Sequence, residues 1–90
     1  MLRIYADFNS GGTNGEPCWL LRYGPDMRMI DEVANELSLK DGMAVTLYYE
    51  DESEEFEVSA ILLCKPGSNA KWQALPNWKT YKLIRGEKQG

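Results

Sequence analysis

The sequence predicts a small, mainly β domain: a barrel of five to six short antiparallel strands with one α-helix over about residues 26–37. Short segments with two-residue alternation of apolar and polar side chains recur along the chain, separated by glycine-rich or acidic turns at near-regular spacing. One segment has helical spacing instead. An α+β arrangement, in which the helix packs on an antiparallel sheet, is the alternative.

Chain length and composition indicate a single globular domain. We expect it to span residues 1–86, with a frayed tail at 87–90. Hydrophobic residues make up 43% of the chain, and the sequence has three Trp and five Tyr, which favours a folded protein over a disordered one. No apolar run is long enough to cross a membrane, and "MLRIYADF" lacks the pattern of a signal peptide. We therefore expect a cytoplasmic protein that does not enter the membrane.

The first predicted strands lie in the N-terminal quarter. In "LRIYADF" (2–8) apolar residues alternate with polar ones, which is typical of a half-buried strand. A loop rich in Gly and Asn follows, and "CWLLRY" (18–23) has the bulky apolar residues of a well-buried strand. These two strands can form an antiparallel pair.

The predicted helix follows a change of period. The apolar residues of "GPDMRMIDEVANEL" recur at helical spacing, and polar residues fill the opposite side. The segment 24–26, Gly-Pro-Asp, is a suitable start for this helix. Its apolar side is expected to face the core.

The second half of the chain predicts a hairpin and two closing strands. "MAVTLYYE" (43–50) and "EFEVSAILLC" (55–64) alternate on either side of a tight acidic connection. Ile61 and Leu63 place apolar side chains on the second face of the strand 55–64 as well, which predicts burial on both of its faces near its end. "KWQAL" and "KTYKLI" are expected to be short strands separated by a turn at "PNW", because a proline cannot donate to a sheet.

Three segments resemble motifs of SH3 domains, in the same order. "RIYADF" is similar to their opening strand, "ELSLKDGMAVTLYYED" to their Glu-Leu-Ser-Phe stretch and next strand, and "ALPNWKTYKLI" to their Pro-Ser-Asn-Tyr turn and closing strand. The resemblance covers about half the chain and implies an SH3-like barrel. Two features depart from the family: about 27 residues separate the first two motifs, and the tryptophan of the third strand is missing.

Aromatic side chains are the candidate protein-binding residues. Tyr5 and Tyr48 fall on the faces opposite the apolar rows, and two tryptophans lie near the predicted turn. The resemblance implies that Tyr5, Phe8, Pro76 and Trp78 lie beside one groove. The alternative is that Trp and Tyr complete a small core. The full candidate set for binding an unknown protein partner is Tyr5, Phe8, Tyr48, Trp72, Pro76 and Trp78.

Residues that support catalysis or cofactor binding are scarce. The chain has no His, which removes the commonest general base, and the two cysteines, Cys18 and Cys64, form no metal-binding motif. We expect both to be small buried hydrophobic residues. The sequence predicts no catalytic residue, no metal and no cofactor. The six acids of "EDESEEFE" (50–57) are interpreted as a solvated turn, with a weak divalent-cation site as the alternative.

The distribution of charge leaves two further functions open. Residues 1–64 carry 4 basic and 13 acidic side chains, a net charge of −9, whereas residues 65–90 carry 6 basic and 1 acidic, a net charge of +5. The net charge of −4 argues against nucleic-acid binding. If nucleic acid is nevertheless bound, the candidates are Lys71, Lys79, Tyr81, Lys82 and Arg85. A small enzyme or enzyme accessory subunit that uses Asp7 or the acidic turn is the remaining alternative.

Overall fold

The computed structural model describes residues 1–86, which form six strands and one α-helix. The mainly β class with a single helix is confirmed. The predicted tail at 87–90 lies outside the described residues. The elements are β1 Arg3–Ala6, a 3-10 turn Phe8–Ser10, β2 Leu21–Tyr23, β3 Arg28–Met29, α1 Ile30–Leu37, β4 Ala44–Glu50, β5 Glu54–Cys64 and β6 Trp72–Gly86.

The six strands form one open sheet in the order β3-β2-β1-β4-β5-β6. Neighbouring strands are antiparallel except β1 and β4, which are parallel because β2, β3 and α1 form a long crossover between them. The predicted all-antiparallel sheet is therefore wrong at this pair. The predicted closed barrel is also wrong, whereas the alternative of a helix packed on a sheet fits.

The failure of the barrel to close has a local cause. β2 and β3 are three and two residues long, so the edge they offer is too short to pair along β6. Among residues 1–86, one isolated bridge, Cys18 with Ala74, connects the segment before β2 to β6. Its two hydrogen bonds run from Cys18 N to Ala74 O at 2.7 Å and from Ala74 N to Cys18 O at 2.9 Å.

The helix α1 begins four residues later than predicted. The segment Gly24–Met27 forms the turn of a β2–β3 hairpin, closed by a hydrogen bond from Met27 N to Gly24 O at 3.0 Å. Asp31 and Glu32 then occupy the first helical turn, where acids are favoured, and Ser38 ends the helix in the left-handed conformation. At eight residues α1 falls far below the about 20 that cross a membrane, and no helix within residues 1–86 is suited to that role.

The core lies between α1 and one face of the sheet. The alternation predicted for β1, β4 and β5 places their apolar rows there, and the helix adds two side chains. Both cysteines are free; Cys18 is fully buried and Cys64 is partly buried. The buried residues are Ile4, Ala6, Cys18, Leu21, Ile30, Val33, Val45, Leu47, Val58, Ala60, Leu62, Trp72 and Ala74.

The opposite face of the sheet has no helix on it. The prediction that β5 becomes buried on both sides is wrong at Ile61, whose side chain is 48% exposed. Leu63 is partly buried. The single helix of the described residues covers the core face alone, so apolar residues that alternate outward stay accessible.

The predicted turn at "PNW" is instead part of β6, which runs continuously from Trp72 to Gly86. Leu75, Pro76 and Asn77 pair with β5 in register. Pro76 is tolerated because of its position in the strand. Residues two apart direct their N–H groups to the same side, and the N–H of Ala74 points away from β5 toward Cys18. The missing N–H of Pro76 therefore lies on the outer edge and removes no hydrogen bond to β5.

The pairing of β6 with β5 is interrupted later, at a large bulge. Asn77 pairs with Ser59 and Lys82 with Glu57, so four residues of β6 lie opposite one residue of β5. The Thr80 hydroxyl connects the strands here: it accepts a hydrogen bond from Ser59 N at 2.8 Å and donates to Asn77 O at 2.7 Å. The Asn77 side chain accepts from Lys79 N at 3.1 Å. Hydrogen bonds to side chains thus replace the backbone hydrogen bonds between β5 and β6 that are interrupted at the bulge.

Replacing Thr80 by Val removes this hydroxyl and preserves the shape of the side chain. We expect the free energy of unfolding to fall by about 1 kcal/mol, the usual effect of losing one net hydrogen bond. Urea denaturation followed by fluorescence measures it. Thr13→Val, in the exposed loop after the 3-10 turn, is the control and should leave stability unchanged. Equal midpoints for both variants would contradict the bridging role.

Candidate functional site

The 3-10 turn after β1 directs Phe8 toward β5 and β6. The Asp7 carboxylate accepts a hydrogen bond from Asn9 N at 2.9 Å, and Ser10 Oγ donates to Asp7 O at 2.7 Å. Ser10 Oγ also accepts from Leu20 N at 3.1 Å, which attaches the turn to the segment that enters β2. Asp7, a candidate for catalysis in the sequence, therefore serves here as the cap of this turn.

Five aromatic rings from four parts of the chain meet at this end of the sheet. We call them the ring surface: Phe8, Tyr49, Phe56, Trp78 and Tyr81. Phe56 is central, with centroid distances of 5.6 Å to Phe8, 5.7 Å to Tyr49 and 5.1 Å to Tyr81. Phe8 and Trp78 are 5.0 Å apart. Such contacts stabilise the cluster beyond simple burial.

The ring surface is only partly covered. Phe8, Tyr49, Phe56 and Trp78 are half-buried, and Tyr81 is 47% exposed. A depression of about 120 Å³ opens beside the rings, lined by Asp7, Phe8, Asn9, Tyr49 and Phe56. Its volume is smaller than the roughly 300–1,000 Å³ of small-molecule pockets. The geometry therefore suits the insertion of one side chain better than the enclosure of a substrate.

Trp78 is held in this cluster by the loop before β2. Its indole Nε1 donates a hydrogen bond to Gly12 O at 2.6 Å. Gly12 has φ of +99°, and a Cβ there would lie 3.2 Å from Cys18 Cβ and 3.3 Å from Pro76 Cγ. Only glycine fits this position without displacement, because both the backbone conformation and the space exclude a side chain.

A second aromatic pair lies on the outer face of the sheet. Tyr5 and Tyr48 pack edge to face at 5.6 Å, and the Arg3 guanidinium lies 4.0 Å from the Tyr48 ring centroid. Arg3 also forms ion pairs with Glu57 at 2.8 Å and Glu55 at 2.9 Å, and the hydrogen bond that it donates to Glu57 is the main cause of its raised pKa. Burial raises the pKa of Tyr5.

The structure separates the predicted protein-binding residues into three places. Phe8, Pro76 and Trp78 lie together around Gly12. Tyr5 and Tyr48 lie apart from them, connected through a 6.0 Å contact between Tyr5 and Tyr49. Trp72 is 7% exposed in the core and does not reach either group.

The sequence prediction missed three members of the ring surface. Tyr49 and Phe56 continue the apolar rows of β4 and β5, so the alternation predicts core positions for them, but they pair with each other beyond the end of the core. Tyr81 was selected only as a base-stacking candidate. The signal that could have found Tyr49 and Phe56 is their position next to the acidic connection, where the hairpin leaves the core.

The basic candidates for nucleic-acid binding do not form one cluster. Lys71 precedes β6 and Arg85 lies near its other end. Arg85 donates hydrogen bonds to Asp51 O at 2.8 Å and Glu52 O at 3.3 Å, so its guanidinium is used within the hairpin. Lys82 lies opposite Glu57 in the β5–β6 register.

Asp51 organises the acidic turn. Its carboxylate accepts hydrogen bonds from Ser53 N at 2.8 Å, Glu54 N at 2.9 Å and the Tyr49 hydroxyl at 2.9 Å. The backbone N–H groups of Ser53 and Glu54, with the Tyr49 hydroxyl, lower the Asp51 pKa to about 2. The hydrogen bond that the Tyr49 hydroxyl donates to Asp51 is also the main cause that raises the pKa of Tyr49 to about 12. Within residues 1–86, no three His, Cys, Asp or Glu side chains are grouped to hold a metal ion.

Comparison with protein-family models, with curated proteins and with solved structures finds no match to this chain. The resemblance to SH3 domains therefore rests on the three short motifs.

Replacing Gly12 by Ala should loosen the ring surface. The side chain is strained at positive φ and crowds Cys18 and Pro76, so we expect a loss of about 2–3 kcal/mol in stability and greater acrylamide quenching of tryptophan fluorescence. Gly15→Ala is a matched control: Gly15 also has positive φ, at +87°, but a Cβ there meets nothing within 4 Å. Equal losses in the two variants would show that crowding is unimportant.

Asp51 should titrate at about pH 2 in the folded protein, as measured by NMR of its carboxyl carbon. Because the folded-state pKa lies below the unfolded value of about 4, the carboxylate stabilises the fold above pH 4. This contribution is lost as the pH falls from about 4 to about 2. The difference in stability between the wild-type protein and Asp51→Asn should shrink across that interval. A carboxyl that titrates near 4 would contradict the hydrogen-bonded arrangement.

Proposed function

We propose that this protein is a noncatalytic, cytoplasmic protein-interaction module that binds its partner through the ring surface. The observation that carries the proposal is the group of five aromatic rings from separate elements, left half-covered at one end of the sheet. Aromatic side chains grouped in this way supply large contact areas and dominate the energy of protein interfaces.

The surroundings of the rings support recognition of a side chain. The depression beside Phe8 and Phe56 offers an anchor point, and Tyr81 extends the apolar area onto the exposed part of β6. The rings are also preorganised, because the Trp78 indole is bound to Gly12 O and the bulge is held by Thr80. Preorganisation lowers the entropic cost of binding.

The use of the polar groups supports a noncatalytic role. The chain has no His. Asp7 caps the 3-10 turn, and Asp51 holds the hairpin connection, so both carboxylates have structural partners. The two free cysteines are in keeping with a reducing compartment.

A peptide-display experiment tests the proposed binding surface. Peptides selected on the wild-type protein are titrated into labelled protein, and amide and indole NMR signals are followed. We expect the largest shifts at Phe8, Phe56, Trp78 and Tyr81. Tyr81→Ser should weaken binding about tenfold, since truncation of an interface aromatic often costs 1–2 kcal/mol.

Ile84→Ser is the matched control, because Ile84 is 44% exposed on the same strand and contributes no ring to the cluster. It should bind the selected peptides as the wild-type protein does. Shifts confined to the other face of the sheet, or unchanged binding by Tyr81→Ser, would exclude the ring surface. Tight binding of single-stranded DNA with shifts at Lys79 and Lys82 would favour the nucleic-acid alternative instead.

A further inference from the structure

A second accessible apolar surface lies on the face of the sheet that carries no helix. We call it the outer patch: Trp19, Ala44, Ile61 and Leu75. Ala44, Ile61 and Leu75 are direct neighbours across β4, β5 and β6. Trp19 and Ile61 are each 48% exposed, and Leu75 is 39% exposed.

The outer patch faces away from the core because of strand alternation. Each strand residue of the patch is adjacent in sequence to a buried one: Val45, Ala60 or Ala74. Trp19 likewise follows the buried Cys18. Because Cys18 pairs with Ala74, Trp19 lies beside Gln73. The patch thus lies on the opposite side of the sheet from the core.

The rows on either side of the patch carry one charge between them, that of Arg3, which pairs with Thr46 and is neutralised by Glu55 and Glu57. Leu63 and Gln73 pair on one side, and Ser59 lies between Thr46 and Asn77 on the other. Beside Trp19, a depression of about 280 Å³ is lined by Asn69, Ala70 and Gln73. An apolar centre with a polar rim and little charge is the composition of an interface centre.

We propose that the outer patch binds a second copy of this chain, forming a two-fold dimer in which the two sheets pack face to face with their β5 strands antiparallel. The patch is uncharged, so two identical copies of it meet without like-charge repulsion. A two-fold axis through the middle of the row, at Ile61, places each row against the same row of the other copy, as an isologous interface requires.

The charges at the two ends of β5 determine the orientation. β5 begins beside the acidic segment 50–57, whose six acids outnumber the three basic side chains around them, Arg3, Lys82 and Arg85. The other end of β5 leads into a loop that carries Lys65 and Lys71. When the β5 strands are antiparallel, the acidic end of each copy faces the basic loop of the other. Parallel strands would instead place the two acidic segments together, which is unfavourable.

The dimer is independent of the proposed function of the ring surface. Phe56 alternates onto the core face of β5, whereas Ile61 lies on the outer face, so pairing through the patch leaves the rings accessible. Loss of dimerisation would leave peptide binding unchanged, and loss of peptide binding would leave the dimer intact. The two experiments therefore fail separately.

Sedimentation equilibrium over a range of protein concentrations tests the dimer. We expect the wild-type protein to be dimeric at high concentration, with dissociation promoted by salt because the end-to-end charge contacts are screened. Ile61→Glu should raise the dissociation constant at least about tenfold, because it buries a charge at the centre of the interface. Circular dichroism verifies that this surface variant keeps its fold.

Ile84→Glu is the matched control, since Ile84 is 44% exposed on β6 but lies outside the patch. Its dissociation constant should not rise above that of the wild-type protein, because the added acid lies at the end of the sheet that faces the basic loop of the other copy. Replacing both Lys65 and Lys71 by Glu should weaken the dimer, because each acidic segment then faces acids. A wild-type protein that stays monomeric at millimolar concentration, or a dimer that Ile61→Glu leaves intact, would overturn the proposal.

Discussion

The pair of hydrogen bonds between Cys18 and Ala74 is the contact on which the rest of the structure depends. It attaches the long segment between β1 and β2 to β6, at the far edge of the sheet. The attachment buries Cys18 and brings Gly12 close to Trp78. The carbonyl oxygen of Gly12 accepts a hydrogen bond from the Trp78 indole N–H. Two surfaces follow from one bridge, because the same turn of the chain directs Cys18 inward and exposes Trp19 on the other face.

The bulge in β6 allows one strand to serve two purposes. Before it, Trp72 and Ala74 are buried in the core; within it, Trp78 and Tyr81 belong to the ring surface. Four residues opposite a single residue of β5, three more than regular pairing, change the direction of the side chains, and Thr80 supplies hydrogen bonds there. An interruption of pairing next to a candidate binding surface is a common use of a β-bulge.

The single helix leaves two apolar surfaces of this small domain accessible. A second helix would cover the outer face of the sheet. Here one eight-residue helix packs on one face of a six-stranded sheet. The ring surface continues the core face past the end of the core, and the outer patch occupies the face that a second layer would have covered.

The sequence by itself determined the local elements. The alternation in β1, β4 and β5 and the helical spacing in α1 depend on neighbouring residues, so the mainly β class and the central hairpin could be predicted. Tertiary structure alone decided the parallel β1–β4 pair, the open sheet, the burial of Trp72 and the exposure of Trp19 and Ile61. Each of these depends on which distant segments pair. A periodic pattern shows that a strand has two faces, but it does not show what covers each face.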